Sequence, residues 1–191
     1  MVVCAGNGES FEFAKSIGVG IINSAMCLTR ICLQYMPRNL LFIGSAGSYD
    51  SKLEIGTLFF STHATQIEMS FLQNQSYTPI DNSISVELDG FVSHETLIRA
   101  NILQATVNSS NYITKTSTYN AMMLSANILL ENMEAFSVFS VARYFNIPCL
   151  AILCVSNVVC EDSHQQWIRN RALVATRFEE VMQRFHIFLD S

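Results

Sequence analysis

The stretch "CLAILCV", residues 149 to 155, is apolar throughout, and Pro148 stands just before it. A run this short is far below the length of a membrane span. It reads as a strand begun by a proline whose missing N–H does least harm at that place. A strand with no polar alternation must be covered on both faces. "LLFI" at 40–43 and "MVVCAG" at 1–6 read the same way. The chain therefore needs a buried sheet with helices above and below it.

The rest of the sequence supplies those covers. "IGVGIINSAMCLTRICLQYM" (17–36) starts on two glycines and continues as an almost wholly apolar helix stopped by Pro37, which predicts burial on most sides. "SHETLIRANILQATV" predicts a helix with Ser93 as N-cap, and "EAFSVFSVARYFN" predicts another. "DSHQQWIRNRALVATRFEEVMQRFHIFL" is a long amphipathic closing helix capped by Asp162 or Ser163. "IGTLFFSTHA" and "SNYITKTSTY" read as strands, "FEFAKS" as a short one, and "NAMMLSANILLENM" as helix or loop. Residues 66–93 are polar and irregular, and they are the expected mobile part. The fold class expected is α/β: a three-layer αβα sandwich on a mixed, mostly parallel sheet, with 1–191 as a single domain.

Composition narrows the partners. Half of the residues are hydrophobic and only 14% are charged, which leans toward an oligomer or a wide buried sheet. A formal charge of −5 without a Lys/Arg cluster argues against nucleic acid, and no apolar run is long enough for a membrane. The start "MVVCAGNGES" lacks the features of a signal peptide. Cysteines at 4, 27, 32, 149, 154 and 160 form no C-x-x-C pair and read as reduced, packed thiols of a cytoplasmic protein. The four histidines are scattered, so neither a metal nor another cofactor is expected.

In α/β sheets, ligands bind beyond the carboxyl ends of the central strands. Four such ends carry small or polar groups: "GNGE", "GSAGS", "TSTY" and "SNVV". Gly44, Ser45, Ala46 and Gly47 allow close backbone approach to an oxyanion or a ribose, though an ordinary strand-to-helix turn explains them as well. Asn157 offers one donor and one acceptor to a heterocycle, or forms an Asn turn. Tyr119 is a stacking platform or a core aromatic. Trp167 reads as packing. In "ENMEAF", Glu134 is either a helix cap or a ligand holder.

Taken together, "IGVGIINSA" (17–25), "LLFIGSAGSYDSKLEIGTLFFST" (40–62) and "ENMEAFSVFSVARYFNIPCLAILCVSNVV" (131–159) resemble the nucleoside phosphorylase superfamily. That group includes purine nucleoside phosphorylases, methylthioadenosine/S-adenosylhomocysteine nucleosidases and futalosine hydrolases. The resemblance implies a nucleoside phosphorylase-like fold, a small-molecule nucleoside as ligand, a homodimer or higher homo-oligomer, and cleavage of a purine-type N-ribosidic bond. Met133 would pack on the ribose, with Asn132 beside it, and Glu134 would accept its hydroxyls. Ser45 and its glycines would line the phosphate or water side, and Ser117, Thr118 and Tyr119 would border the base. Asn157 stands where many relatives carry an Asp that protonates the purine.

The departures from the family pattern matter too. The N-terminal region is shortened by about 20 residues relative to those relatives, which leaves Glu9, then Glu12, as the candidate for the water-activating base. The arginines expected to hold phosphate are absent, with Phe42 or Ile43 in the place of one. Hydrolysis is therefore favoured. Phosphorolysis, with phosphate as co-substrate, is the alternative, and a nucleoside-binding protein without turnover is another.

Overall fold

The computed structural model describes residues 1–88 and 92–189. Its elements are β1 (Val2–Cys4), β2 (Lys15–Ser16), α1 (Ile21–Tyr35), β3 (Leu40–Ser48), β4 (Leu58–Ser61), β5 (His63–Thr65), α2 (Met69–Leu72) and β6 (Ser83–Ser85). They continue as α3 (His94–Arg99), β7 (Leu103–Gln104), β8 (Val107–Ser109), α4 (Asn120–Ser125), β9 (Leu130–Asn132), α5 (Ala135–Tyr144), β10 (Cys149–Val158) and α6 (Ser163–Leu189).

The strands form one mixed sheet in the order β6-β5-β8-β9-β3-β10-β4-β7, with β1 beside β3 and β2 beside β1. Most pairings are parallel; β10–β4, β3–β9 and β5–β6 are antiparallel. The two central strands show why their sequences lack alternation. Leu40 and Phe42 of β3, with Cys149, Ala151, Leu153 and Val155 of β10, enter one core, which α1 and α5 complete. Leu41 and Ile43, with Leu150, Ile152 and Cys154, enter a second core completed by α6 through Val174, Phe178, Val181 and Met182. Successive residues thus feed opposite cores, and both sets must be apolar. All six cysteines are free thiols. Cys154 is pushed up to about 12 by burial, which suits a packed rather than a reactive group.

Strand β3 changes neighbours along one edge. Residues 41–43 pair with β1, whereas Gly47 and Ser48 pair with β9. Between these two partners the edge opens at residues 44–46. A polar side chain bridges the opening: Asn132 Nδ2 donates to the Ser45 carbonyl at 3.0 Å. Its Oδ1 accepts from the N–H groups of Glu134 (2.8 Å) and Ala135 (2.9 Å), the start of α5. One amide therefore satisfies two orphan donors of a helix and one strand carbonyl.

Several sequence expectations need correction. "GSAGS" is not a loop after residue 43, because β3 runs on to Ser48 with Gly44, Ser45, Ala46 and Gly47 all paired to β10. The strand expected in "SNYITKTSTY" stops at Ser109. Beyond it, Ser110 Oγ accepts from Tyr112 N–H and Thr116 Oγ1 from Thr118 N–H, so side chains turn the backbone away from the sheet. Helix α3 keeps its Ser93 cap but ends at Arg99, just before Asn101 in the left-handed region (φ 60°). Residues 66–93 carry α2 and β6, and positions 89–91 lie outside the described residues. Helix α1 is not buried on most sides, since Ile22, Met26 and Leu33 are each about two-thirds exposed. No described helix is long and apolar enough to cross a membrane.

Asn132→Ala removes three hydrogen bonds at the junction of β3, β9 and α5. The expected loss of stability is about 2–3 kcal/mol, measured as a lower denaturant midpoint at unchanged m-value.

Candidate active site

Directly above the opening in β3 lies a cavity of about 240 Å³. Its wall includes Ala5, Asn7 and Glu9 from the segment after β1, Ser45, Ala46 and Gly47 from β3, and Glu131 to Glu134 from β9 and the start of α5. Asn157 of β10 and Ser163, His164 and Trp167 of α6 close it, together with Ser110, Tyr112 and Ile113. Three of the four polar strand ends picked out in the sequence therefore meet at one hollow. The fourth does not. Ser117, Thr118 and Tyr119 lie outside the cavity wall, and the Tyr119 hydroxyl accepts from Gln73 Nε2 at 2.9 Å. Gly44 faces Phe42 and Asn132 rather than the hollow, and Glu12 does not line it.

Glu9 is fixed from three directions. Its carboxylate accepts from the Ser45 N–H at 3.1 Å, from the Ser45 hydroxyl, and from Trp167 Nε1 at 2.9 Å. It thus meets the N–H of Ser45 where β3 has lost β1 and not yet gained β9. Trp167 belongs to the site rather than to packing alone: Nε1 also reaches Ser45 Oγ at 3.0 Å, and the ring stacks with His164. An indole N–H seeks a partner when buried, and only the assembled fold shows that the partner is Glu9.

Glu134 sits at the N-cap of α5, 3% exposed, but its side chain does not cap that helix. Oε1 instead accepts from the N–H of Gly20 at 2.8 Å. Gly20 is the N-cap of α1 at φ 83°, and a β carbon there would stand 2.8 Å from Asn111 Oδ1. Glycine is required at that point for both backbone and space. Burial pushes the Glu134 carboxyl up to about 7, with the Glu9 charge adding to the rise and the Gly20 N–H opposing it.

Asn157 reaches the hollow through an irregularity. In the pairing of β10 with β3, Val155 faces Ala46 and the next partnered residue is Asn157, opposite Gly47. Ser156 is the extra residue of a bulge, and Asn157 thereby shares the face of Gly47. Its Oδ1 accepts from Ser156 Oγ at 2.8 Å, which leaves Nδ2, bonded only at 3.4 Å to Val158 O, as its donor toward the cavity.

Glu131 drew no attention in the sequence. It lines the cavity, and Tyr49 donates to its Oε2 at 3.2 Å. Burial raises its carboxyl above the usual range, opposed by hydrogen bonds from Thr114 and Tyr49. Among the described residues, the lining comprises three carboxylic acids and neither a lysine nor an arginine. Arg171 stacks on the Trp167 ring at 5.3 Å without joining the wall. Among the described residues, no three His, Cys, Asp or Glu side chains gather so as to hold a metal ion.

The raised Glu134 carboxyl gives a signed expectation. From the ordinary 4.5 up to about 7, the folded protein holds a proton that the unfolded chain has released. Stability therefore falls as pH rises through that window and levels off above it, and Glu131 adds in the same sense. Glu134→Gln should flatten this dependence, read as melting temperature against pH.

Residues 2–190 match the family model described as the phosphorylase superfamily. A 5'-methylthioadenosine/S-adenosylhomocysteine nucleosidase of Bacillus cereus is 26% identical over 188 residues, spanning 90% of this chain and 79% of that protein. Among solved structures, the nucleosidase of the same name from Helicobacter pylori with butyl-thio-DADMe-Immucillin-A superposes with a TM-score of 0.76 at 16% identity, covering 96% of this chain and 97% of the other. Native futalosine hydrolase of Helicobacter pylori gives 0.75 at 16%, with 96% of each chain covered. These likenesses in structure concern the fold, and the near-complete family match settles the grouping: the chain belongs to the phosphorylase superfamily.

Proposed function

We propose that this protein hydrolyses the N-ribosidic bond of a purine-type nucleoside, as one catalytic domain acting in the cytoplasm without a cofactor. The observation that carries the reading is a single hollow holding Glu9 on Ser45 and Trp167, Glu134 on Gly20, and the Asn157 amide, with neither a lysine nor an arginine among its described lining residues. The names of its relatives, nucleosidases and a futalosine hydrolase, support it.

Cleavage puts positive charge on the sugar and sends the bond's electron pair to the base, through an oxocarbenium-like transition state. Glu134, beside Met133 and Asn132, takes the ribose hydroxyls, since a carboxylate is an acceptor for every O–H offered to it. Glu9 takes the proton of the attacking water as oxygen bonds to the anomeric carbon. Ser45 and Trp167 hold Glu9 in place for that step. Asn157 Nδ2 donates a hydrogen bond to the base. A phosphate dianion would meet carboxyl groups and neither a lysine nor an arginine among the described lining residues, so nothing there balances its charge and water is favoured as the nucleophile.

The acting unit is a homodimer. Ile22, Met26 and Leu33 form one stripe along α1, exposed by 65%, 68% and 67%. A second copy is the partner that such an apolar stripe fits.

The test is to incubate the protein with inosine, adenosine, methylthioadenosine and futalosine, with and without phosphate. Base release in water at an undiminished rate is expected; release that requires phosphate makes it a phosphorylase, and binding without release makes it a nucleoside-binding protein. Glu9→Gln should lower kcat by about 10²–10⁴-fold, the usual contribution of a positioned base, with KM little changed. In light scattering, Met26→Glu should convert a dimer into a monomer.

A further inference from the structure

Hydrolysis by the route above, on which this inference rests, leaves the departing base in need of a proton. Asn157 stands beside the base, and an amide cannot give one. Among the cavity's carboxylic acids, Glu9 is tied to Ser45 and Trp167 at the water side, and Glu134 is tied to Gly20 at the sugar side. The third is Glu131.

The register of the sheet places Glu131 next to Asn157. Glu131 of β9 pairs with Gly47 of β3, and Gly47 pairs with Asn157 of β10. Residues paired directly across strands point to the same face. Gly47 has no side chain to separate its neighbours, so the two lean over it. A β carbon built on Gly47 would stand 2.9 Å from Asn157 Nδ2 and 3.0 Å from Glu131 Cγ. Both side chains line the hollow. The Tyr49 hydroxyl, donating to Oε2, fixes how the Glu131 carboxyl is turned.

We propose that Glu131 is the acid that protonates the leaving base, while Asn157 beside it orients that base. In the step, water oxygen bonds to the anomeric carbon and gives a proton to Glu9. The carbon–nitrogen bond breaks, its electron pair goes to the base, and the Glu131 proton goes to a ring nitrogen. Solvent then returns a proton to Glu131 and takes one from Glu9, so that nucleoside and water become ribose and base. The burial that raises the Glu131 carboxyl keeps it protonated further toward neutral pH, as an acid in this place requires.

A leaving group that needs no proton separates this role from a structural one. Glu131→Gln is compared with wild type on the nucleoside that wild type cleaves and on 4-nitrophenyl β-D-riboside, which departs as a stable phenolate. The expected result is a fall in kcat of about 10²–10⁴-fold on the nucleoside and almost none on the nitrophenyl riboside. An unimpaired variant, or one impaired equally on both substrates, overturns the assignment of the acid while the function stands. A wild-type protein that releases base from no nucleoside overturns the function, and the acid with it. Should Glu131→Gln fail to fold, Glu131→Asp decides by the same comparison: selective loss on the nucleoside supports the acid, and equal loss on both overturns it.

Discussion

Strand β3 exchanges one neighbour for another partway along its length, and the site depends on that exchange. Its first half pairs with β1 and its end with β9. At Ser45, between them, a backbone N–H and carbonyl near the protein interior need partners. Glu9 meets the first and Asn132 the second. Those side chains are also the ones that the proposed hydrolysis uses: a carboxylate for water, and an amide that starts the helix carrying Glu134. The demand for satisfied backbone groups and the demand for placed functional groups are met by the same residues.

Both sides of the sheet contribute to the hollow. From the α1–α5 side, Glu134 is anchored by the Gly20 N–H at the start of α1. From the α6 side come His164 and Trp167, the latter pinning Glu9 and Ser45. The two cores hold these contributors in fixed relation, because β3 and β10 send alternate residues into each. A close-packed interior transmits displacement rather than absorbing it, so a core change on either face is felt at the site.

Much of this was legible in the sequence where burial dictates residue type. The apolar runs at 40–43 and 149–155 required a doubly covered sheet, and the helices at 135–144 and 163–189 follow from their periodicity. "GNGE", "GSAG" and "SNVV" are polar for a reason that strand ends reveal. What was not legible lies in long-range pairing. Glu131 looks like any charge at a strand end until the register sets it across Gly47 from Asn157. Trp167 looks like packing on an amphipathic helix until its N–H finds Glu9, 158 positions away in sequence. "TSTY" misled because hydroxyl side chains turn the backbone locally, and a reading of strand propensity does not weigh that competition.

The single supernumerary residue in β10 carries a consequence of its own. Because side-chain direction reverses at each position, the insertion of Ser156 decides which neighbour is offered to the ligand and which is turned to the core. Were β10 to run past Val155 without the bulge, Ser156 would stand opposite Gly47 and Asn157 opposite Ser48, and the amide would swing to the opposite side of the sheet. The shape of the hollow is thus written partly in the register of its strands and not only in the identity of their residues, and ironing out one kink would empty this wall of its amide without replacing a single side chain.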